Sequence, residues 1–125
     1  MAVRIAMEVG DSPSQIRAAV LGLAAVSLAQ MRERPLPRLY ASGVRYVREP
    51  GTRERWQTAR ETLERRGGDC EDLAAYRVAE LHYLGELGAT IVVRRINPTL
   101  MHIVVRRANG YIEDPSAQLG MTGKA

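Results

Sequence analysis

A pair of glycines constrains the fold of this chain more than any other feature, because glycines stop one helix and the next residue can start another. They lie in residues 65–76, which read RRGGDCEDLAAY. Asp69 suits the N-cap of the new helix, so Cys70 falls in its first turn. Apolar side chains then recur at helical spacing until Gly85 ends the helix. This core-facing stripe includes Cys70, Ala74, Val78 and Leu81.

The chain before this helix predicts a strand followed by a long helix. Apolar side chains alternate with other residues over 3–9, which indicates a strand or an extended arm. Ser12 and Gln15 have the spacing of a capping box, with a proline at the first helical position, so a helix is expected over 13–31. This helix is apolar almost all round, which predicts that it is buried. Its apolar run, 18–31, is shorter than the about 20 residues that span a bilayer.

A connection with three prolines and a second short helix separate the long helix from the glycine pair. Residues 31–51 predict an irregular connection, and a loop of this length often forms a functional wall. Thr58 and Glu61 form a second capping box, which predicts a helix over 59–66. The prediction is that Gly67–Gly68 stops this helix.

The last third of the chain predicts a small antiparallel sheet. Alternating and β-branched residues indicate strands over 90–96, 100–107 and 111–114. The tripeptide Ala-Asn-Gly between the last two strands fits a three-residue loop with Gly110 in the left-handed conformation. The expected fold class is therefore α+β, in one domain over 1–125.

The type of this loop decides which side chains share a sheet face. A three-residue loop pairs Arg107 with Tyr111 and places His102 diagonal to Asp114 on the same face. A two-residue Asn-Gly turn would instead put Asp114 on the opposite face. The observed turn therefore tests whether these two side chains can act together.

Composition narrows the classes of function. The net charge is +4, almost all the basic residues are arginine, and they are scattered through the chain without a recognisable nucleic-acid motif. We therefore expect no nucleic-acid partner.

The single cysteine excludes an internal disulfide framework and suits a reducing compartment. No basic start precedes the apolar run, so a signal peptide is not indicated, and a cytoplasmic protein without a membrane partner is expected.

Cys70 is a candidate nucleophile if a suitable base lies near it. A cysteine nucleophile needs a histidine base and a group that orients the base. His82 lies on the same helix at about 18 Å, from a rise of 1.5 Å per residue, and is too far away. His102 lies on a strand that can return past the helix start. The helix start and a nearby imidazolium both favour thiolate, so a low pKa is predicted for Cys70.

Three carboxylates flank this thiol: Asp69, Glu71 and Asp72. The preferred interpretation is that Asp69 caps the helix while the other two offset its dipole and point away from Cys70. The alternative is a site for a divalent cation such as calcium, formed by the same three side chains.

Three short motifs resemble the transglutaminase-like cysteine peptidase superfamily, and in particular its bacterial branch. The first is WQTARETL over 56–63 followed by GGDCEDLA over 67–74, the second is MHIVV over 101–105, and the third is YIEDP over 111–115. They occur in the order cysteine, histidine, aspartate, on the expected elements, and cover about half of the chain. Compact relatives of this kind resemble products of bacteriophage gene clusters.

The resemblance implies a papain-like core in which the nucleophile helix packs on a small antiparallel sheet. It implies Cys70 as nucleophile, His102 as base and Asp114 as the residue that orients the base. The oxyanion would be stabilised by the Cys70 backbone N–H and by a second donor from Trp56 or Gln57. Trp56 is equally well interpreted as a core anchor.

The function expected from this site is thiol acyl transfer without a cofactor, most simply hydrolysis of a peptide or isopeptide bond in a protein or peptide substrate. Capture of the acyl group by an amine, which would produce cross-links, uses the same three residues and stays open. A non-enzymatic module that retains the fold, such as a phage assembly protein, is the alternative from another class.

Overall fold

The computed structural model describes residues 12–48, 56–98 and 100–121, so the strand predicted over 3–9 lies outside the described residues. The described fold is α+β, as predicted. Its helices are α1 (Pro13–Glu33), α2 (Ala59–Arg65), α3 (Cys70–Tyr83) and α4 (Pro115–Gln118). Its strands are β1 (Arg45–Tyr46), β2 (Gly67–Gly68), β3 (Thr90–Asn97), β4 (Leu100–Arg106) and β5 (Ile112–Glu113).

Helix α1 begins with the predicted capping box of Ser12 and Gln15. It is buried on one face only, so the prediction of burial all round is wrong. Its buried residues recur at helical spacing and pack against α3 and β3, whereas Val26 on the other face is 38% exposed. With 21 residues, α1 is long and apolar enough to cross a membrane by length and composition, a test that core helices also pass.

The connection after α1 is irregular in its described part, as predicted, but it is fixed against α3. It contains a 3-10 turn over Leu39–Ala41 and then β1. The backbone N–H of Leu39 donates to Glu80 Oε1 at 2.6 Å, and the Tyr76 hydroxyl donates to the Pro37 carbonyl at 2.6 Å. These bonds to buried α3 side chains hold the connection against that helix.

Helix α2 has the predicted capping box of Thr58 and Glu61 but ends differently from the prediction. Arg66, with φ of 58°, ends the helix in the left-handed conformation, so the glycines are not the residues that stop it. Gly67–Gly68 instead forms β2, which pairs in parallel with β1. Glycine is needed here for close approach, since a Cβ would lie 2.7 Å from Val47 Cγ2 at Gly67 and 2.8 Å from Asp72 Cβ at Gly68.

Helix α3 is the central element of the core. Asp69 is its N-cap residue, as predicted, and Gly85 (φ +97°) ends it. The Gly85 N–H donates to the His82 carbonyl, and the Glu86 N–H donates to the Leu81 carbonyl, which is a Schellman motif. Two apolar clusters meet at α3. One joins it to α1, β3 and β4, and the other to the 3-10 turn, α2 and α4.

The three-stranded antiparallel sheet has the order β3-β4-β5 and contains the predicted hairpin. Arg107 donates its N–H to the Tyr111 carbonyl at 2.8 Å, and Gly110 has φ of +90°. Val105 faces Glu113 in the β4–β5 ladder. The three-residue loop is therefore confirmed, and the two-residue alternative is excluded.

Candidate active site

His102 and Asp114 meet on one face of the sheet, as the loop type predicts. His102 is buried on β4, and its Nε2 lies 2.8 Å from Asp114 Oδ2. Asp114 follows β5 directly, and its Oδ1 accepts the Ala117 N–H at 3.3 Å at the start of α4. Both oxygens of this carboxylate are thus used as acceptors, one for the imidazole and one for the helix cap.

This arrangement selects one tautomer of the His102 imidazole. A carboxylate oxygen can only accept a hydrogen bond, so the ring carries its proton on Nε2 when it is neutral. The lone pair then lies on Nδ1. Nδ1 is the nitrogen that can take a proton from a nucleophile, so Asp114 orients His102 for service as a base.

Cys70 lies at the edge of the sheet where β5 has ended. Backbone N–H groups on β4 alternate in direction, so Ile103 directs its N–H to the same edge as Arg107. Pro115 takes the chain away from that edge, and the Ile103 N–H lies close enough to the Cys70 thiol there to lower its pKa. The cysteine predicted as nucleophile is therefore placed beside the residue that follows His102.

The environment of Cys70 differs from the predicted one. Burial, the Glu71 carboxylate and the Asp69 carboxylate raise the pKa of the Cys70 thiol well above its usual range. The Ile103 N–H lowers the pKa, but by less. The prediction of a low-pKa thiolate is therefore wrong for the protein without substrate, because burial and the negative neighbours outweigh the Ile103 N–H.

Glu71 is also oriented differently from the prediction. The Cys70 thiol donates to Glu71 Oε2 at 3.2 Å, so this carboxylate points toward the thiol. Adjacent helix positions face different directions, but the two methylene groups of Glu71 let its carboxylate turn back. The side chain is 3% exposed, so the contact is shielded from solvent.

Asp72 performs a structural task. Its Oδ1 accepts the Gln57 N–H at 2.7 Å, and its Oδ2 accepts the Asp69 N–H at 3.2 Å. Burial and the Asp69 carboxylate raise the pKa of the Asp72 carboxyl. The capping interpretation is confirmed for this residue, which also ties the segment before α2 to the start of α3.

The three flanking carboxylates do not converge as a cation site. Asp72 faces backbone N–H groups and Glu71 faces the thiol. Within residues 12–48, 56–98 and 100–121, no group of three or more His, Cys, Asp or Glu side chains could hold a metal ion. The calcium alternative for Asp69, Glu71 and Asp72 therefore has no support from this geometry.

Trp56 and Gln57 lie in the wall of the site. Gln57 Nε2 donates to the Gly67 carbonyl at 2.8 Å and to Thr62 Oγ1 at 3.4 Å, so both amide hydrogens are used. The Gln57 amide is therefore engaged within the protein, and its role as an oxyanion donor stays a prediction. Trp56 is 2% exposed and belongs to the core cluster around α3, in agreement with the interpretation as a core anchor.

His82 is separate from the site, as expected. Its Nε2 lies 2.8 Å from the Ala89 carbonyl, at the opposite end of α3 from Cys70. It connects the end of the helix to the start of β3.

A buried ionic network holds Glu113, the residue that precedes Asp114. The sequence analysis did not predict this network. Arg77 on α3 donates to Glu80 and to both oxygens of Glu113, with Nε–Oε2 at 2.5 Å. The Tyr40 hydroxyl also donates to Glu113, and the Arg77 guanidinium lies 4.9 Å from the Tyr40 ring centroid. Arg107 extends the network by donating to Glu113 at 3.1 Å.

This network fixes β5 against α3. Burial raises the pKa of Glu113, but the hydrogen bonds and charge of Arg77 together with the Tyr40 hydroxyl lower it below its usual range. Glu113 precedes Asp114 in the chain, so the network holds the strand that delivers the orienting carboxylate. One signal in the sequence pointed to it: Arg77 and Glu80 lie three residues apart on a helix whose neighbours are apolar.

Tyr46 is a second neighbour of the site that the sequence did not indicate. It lies on β1 opposite Gly68, two residues before Cys70, and its N–H donates to the Leu119 carbonyl at 2.9 Å. Burial raises the pKa of Tyr46, and the next largest influence is the charge of Cys70. The parallel pairing of β1 and β2, which brings Tyr46 here, joins segments that are far apart in the sequence.

Comparisons of the chain with protein-family models, with curated proteins and with solved structures gave no match. The resemblance of the three motifs to the transglutaminase-like superfamily therefore stays a hypothesis.

Proposed function

We propose that this chain is a thiol acyl-transfer enzyme with Cys70 as nucleophile, His102 as base and Asp114 as the orienting residue. The observation that supports this proposal most is the 2.8 Å bond between His102 Nε2 and Asp114 Oδ2, because it leaves the Nδ1 lone pair for a thiol proton. We also propose that the fold is a papain-like or transglutaminase-like core, with α3 as the nucleophile helix.

The reaction proceeds through a thioester. His102 Nδ1 takes the thiol proton while Cys70 Sγ forms a bond to the carbonyl carbon of the substrate. The C–N bond then breaks, and the imidazolium returns the proton to the leaving amine. Water next attacks the thioester and gives a proton to His102. The C–S bond then breaks, His102 returns this proton to Cys70 Sγ, and the acid leaves, so no cofactor is required.

The oxyanion of each tetrahedral intermediate needs hydrogen-bond donors. The first N–H groups of a helix have no intrahelical partner, and in α3 the first intrahelical bond runs from the Leu73 N–H to the Asp69 carbonyl. We assign the Cys70 N–H as the main donor, since it precedes that bond and belongs to the nucleophile itself.

The substrate class proposed is a protein or peptide, with no nucleic-acid or membrane partner and a cytoplasmic setting. Hydrolysis and amine transfer share every residue named. Turnover of an activated ester in the presence of a primary amine separates them: a hydrolase yields mainly the acid, whereas an amine transferase yields mainly the amide.

A non-enzymatic module is the second candidate, and the raised pKa of Cys70 is the observation that favours it. A protein that only retains the fold has no need for a reactive thiol at neutral pH. The two candidates differ in whether the thiol of Cys70 reacts catalytically with an acyl group.

The test is turnover of an activated ester such as p-nitrophenyl acetate by the wild-type protein and by two histidine variants. His102→Ala should reduce kcat/KM by about 10²–10⁴-fold, because the base is lost. His82→Ala is the matched control and should leave kcat/KM unchanged. Equal rates for the wild-type protein and His102→Ala would favour the non-enzymatic module.

A further inference from the structure

In the resting state the thiol of Cys70 is hydrogen-bonded to a carboxylate. Its Sγ donates to Glu71 Oε2 at 3.2 Å, and the Glu71 side chain is 3% exposed. A thiol has one proton to donate. While that proton lies toward Glu71, it cannot also lie toward the Nδ1 atom of His102.

The charged groups around the thiol act mainly against its ionisation. Glu71 and Asp69 at the start of α3 are both negative, and both raise the thiol pKa, as does burial. On β1, Tyr46 carries no charge while it keeps its proton, and its pKa is raised. Arg48, two residues further along the chain, is the cation near Tyr46 and acts in the opposite direction to these carboxylates. On β4, the Ile103 N–H favours thiolate, and His102 is the group that we assign to accept the proton.

We propose that Glu71 is a positioning residue that holds the Cys70 thiol away from His102, so that acyl transfer begins with rotation of the thiol from Glu71 to His102. This proposal rests on the proposed function for its consequence, but the hydrogen bond itself does not depend on it. Glu71 therefore keeps the nucleophile latent, and the site becomes reactive when the carboxylate is neutralised or turned away.

The step conserves the proton. In the resting state the proton is on Cys70 Sγ and is donated to Glu71. After rotation about the Cβ–Sγ bond of Cys70, the same proton faces His102 Nδ1 and is transferred as the S–C bond forms. Glu71 gains and loses no proton, so its effect is on the position and the ionisation of the thiol and not on the stoichiometry.

The first measurement is the rate of Cys70 alkylation by iodoacetamide as a function of pH. The wild-type protein should react with a midpoint above the ordinary cysteine value of about 8.5. Glu71→Gln should lower this midpoint and speed labelling at neutral pH by about tenfold for each unit of pKa lost. Glu64→Gln, which removes an equal charge from an exposed position on α2, should change neither.

The second measurement uses wild-type protein alone and so does not depend on the folding of a variant. Paired methanethiosulfonates with a positive or a negative charge should label Cys70 at different rates, with the positive reagent faster. Added salt should reduce that ratio, because it screens the carboxylates. A ratio near one at low salt would overturn the proposal, as would unchanged alkylation in Glu71→Gln.

Ester turnover separates failure of this inference from failure of the proposed function. If Glu71 restrains a catalytic thiol, Glu71→Gln should raise kcat/KM for a neutral ester at neutral pH. A faster alkylation with no ester turnover in either protein would support the role of Glu71 and contradict the enzyme. Normal turnover with no effect of Glu71→Gln would support the enzyme and contradict the role of Glu71.

Discussion

Asp114→Asn is expected to reduce kcat/KM for an acyl substrate by on the order of a thousandfold or more. Asp114 uses both oxygens as acceptors, one for His102 Nε2 and one for the Ala117 N–H. Asparagine has only one acceptor oxygen. If that oxygen keeps the helix cap, the amide group donates to Nε2, the lone pair of His102 moves to Nε2, and Nδ1 carries the proton. The base then has the wrong tautomer.

The measurement is steady-state ester turnover together with thermal melting. The fold should persist, because the capping interaction with Ala117 can be kept by the asparagine oxygen. Glu64→Gln is again a suitable control, since it lies on the exposed side of α2. Activity of Asp114→Asn within a few-fold of the wild-type protein would show that another residue orients His102.

Arg77→Met is expected to lower the free energy of unfolding by about 3–5 kcal/mol, the usual cost of removing one partner from a buried ion pair. Arg77 lies between Glu80 and Glu113, whose side chains are each 3% exposed. Methionine fills similar volume but leaves these two carboxylates with less compensating charge. The measurement is urea unfolding at neutral pH.

Two controls define the origin of this loss. Arg60→Met breaks an exposed ion pair with Glu33 at 3.8 Å and should change stability by less than about 1 kcal/mol. Urea unfolding of the wild-type protein and of Arg77→Met at acidic pH is the second control. The pKa of Glu113 is lowered in the folded protein, so its stabilising effect is present above about 4.5 and is lost as the pH falls through the lowered folded value. The difference between the wild-type protein and Arg77→Met should therefore shrink in acid.

If Arg77→Met lowers the free energy of unfolding by less than about 1 kcal/mol at neutral pH, Arg77 does not stabilise the fold through these two carboxylates. The same variant should also reduce ester turnover, since Glu113 positions the strand that carries Asp114. Restored stability in the double variant Arg77→Met/Glu80→Gln would confirm that an uncompensated carboxylate causes the loss.

Local signals in the sequence were enough to predict the elements that carry the site. The capping boxes of Ser12 and Thr58 predicted where α1 and α2 begin, because capping depends on neighbours three residues apart. The Ala-Asn-Gly loop predicted the hairpin register, and the bond between His102 and Asp114 followed from it. Hydrophobic periodicity and turn chemistry depend only on residues that are close together in the chain, so a single sequence is enough to predict them.

The features that were missed depend on contacts between distant segments. Arg66, not Gly67, ends α2 in the left-handed conformation, because pairing of β2 with β1 requires the glycines for close approach. Glu71 turns toward Cys70, a choice of side-chain conformation that spacing cannot specify. The network of Arg77 and Glu113 joins residues 36 positions apart in the sequence. Helical spacing indicates the pairing of Arg77 with Glu80, but no local pattern predicts the pairing with Glu113.

If Cys70 forms a thioester, intact-mass spectrometry will detect it in protein quenched in acid shortly after mixing with an activated acyl ester. We expect one acyl group per chain, mapped to Cys70 by peptide analysis, absent in Cys70→Ala and decaying when water or an amine completes the reaction. Ester turnover without any adduct on Cys70, or an equal adduct in Cys70→Ala, would contradict this role of Cys70.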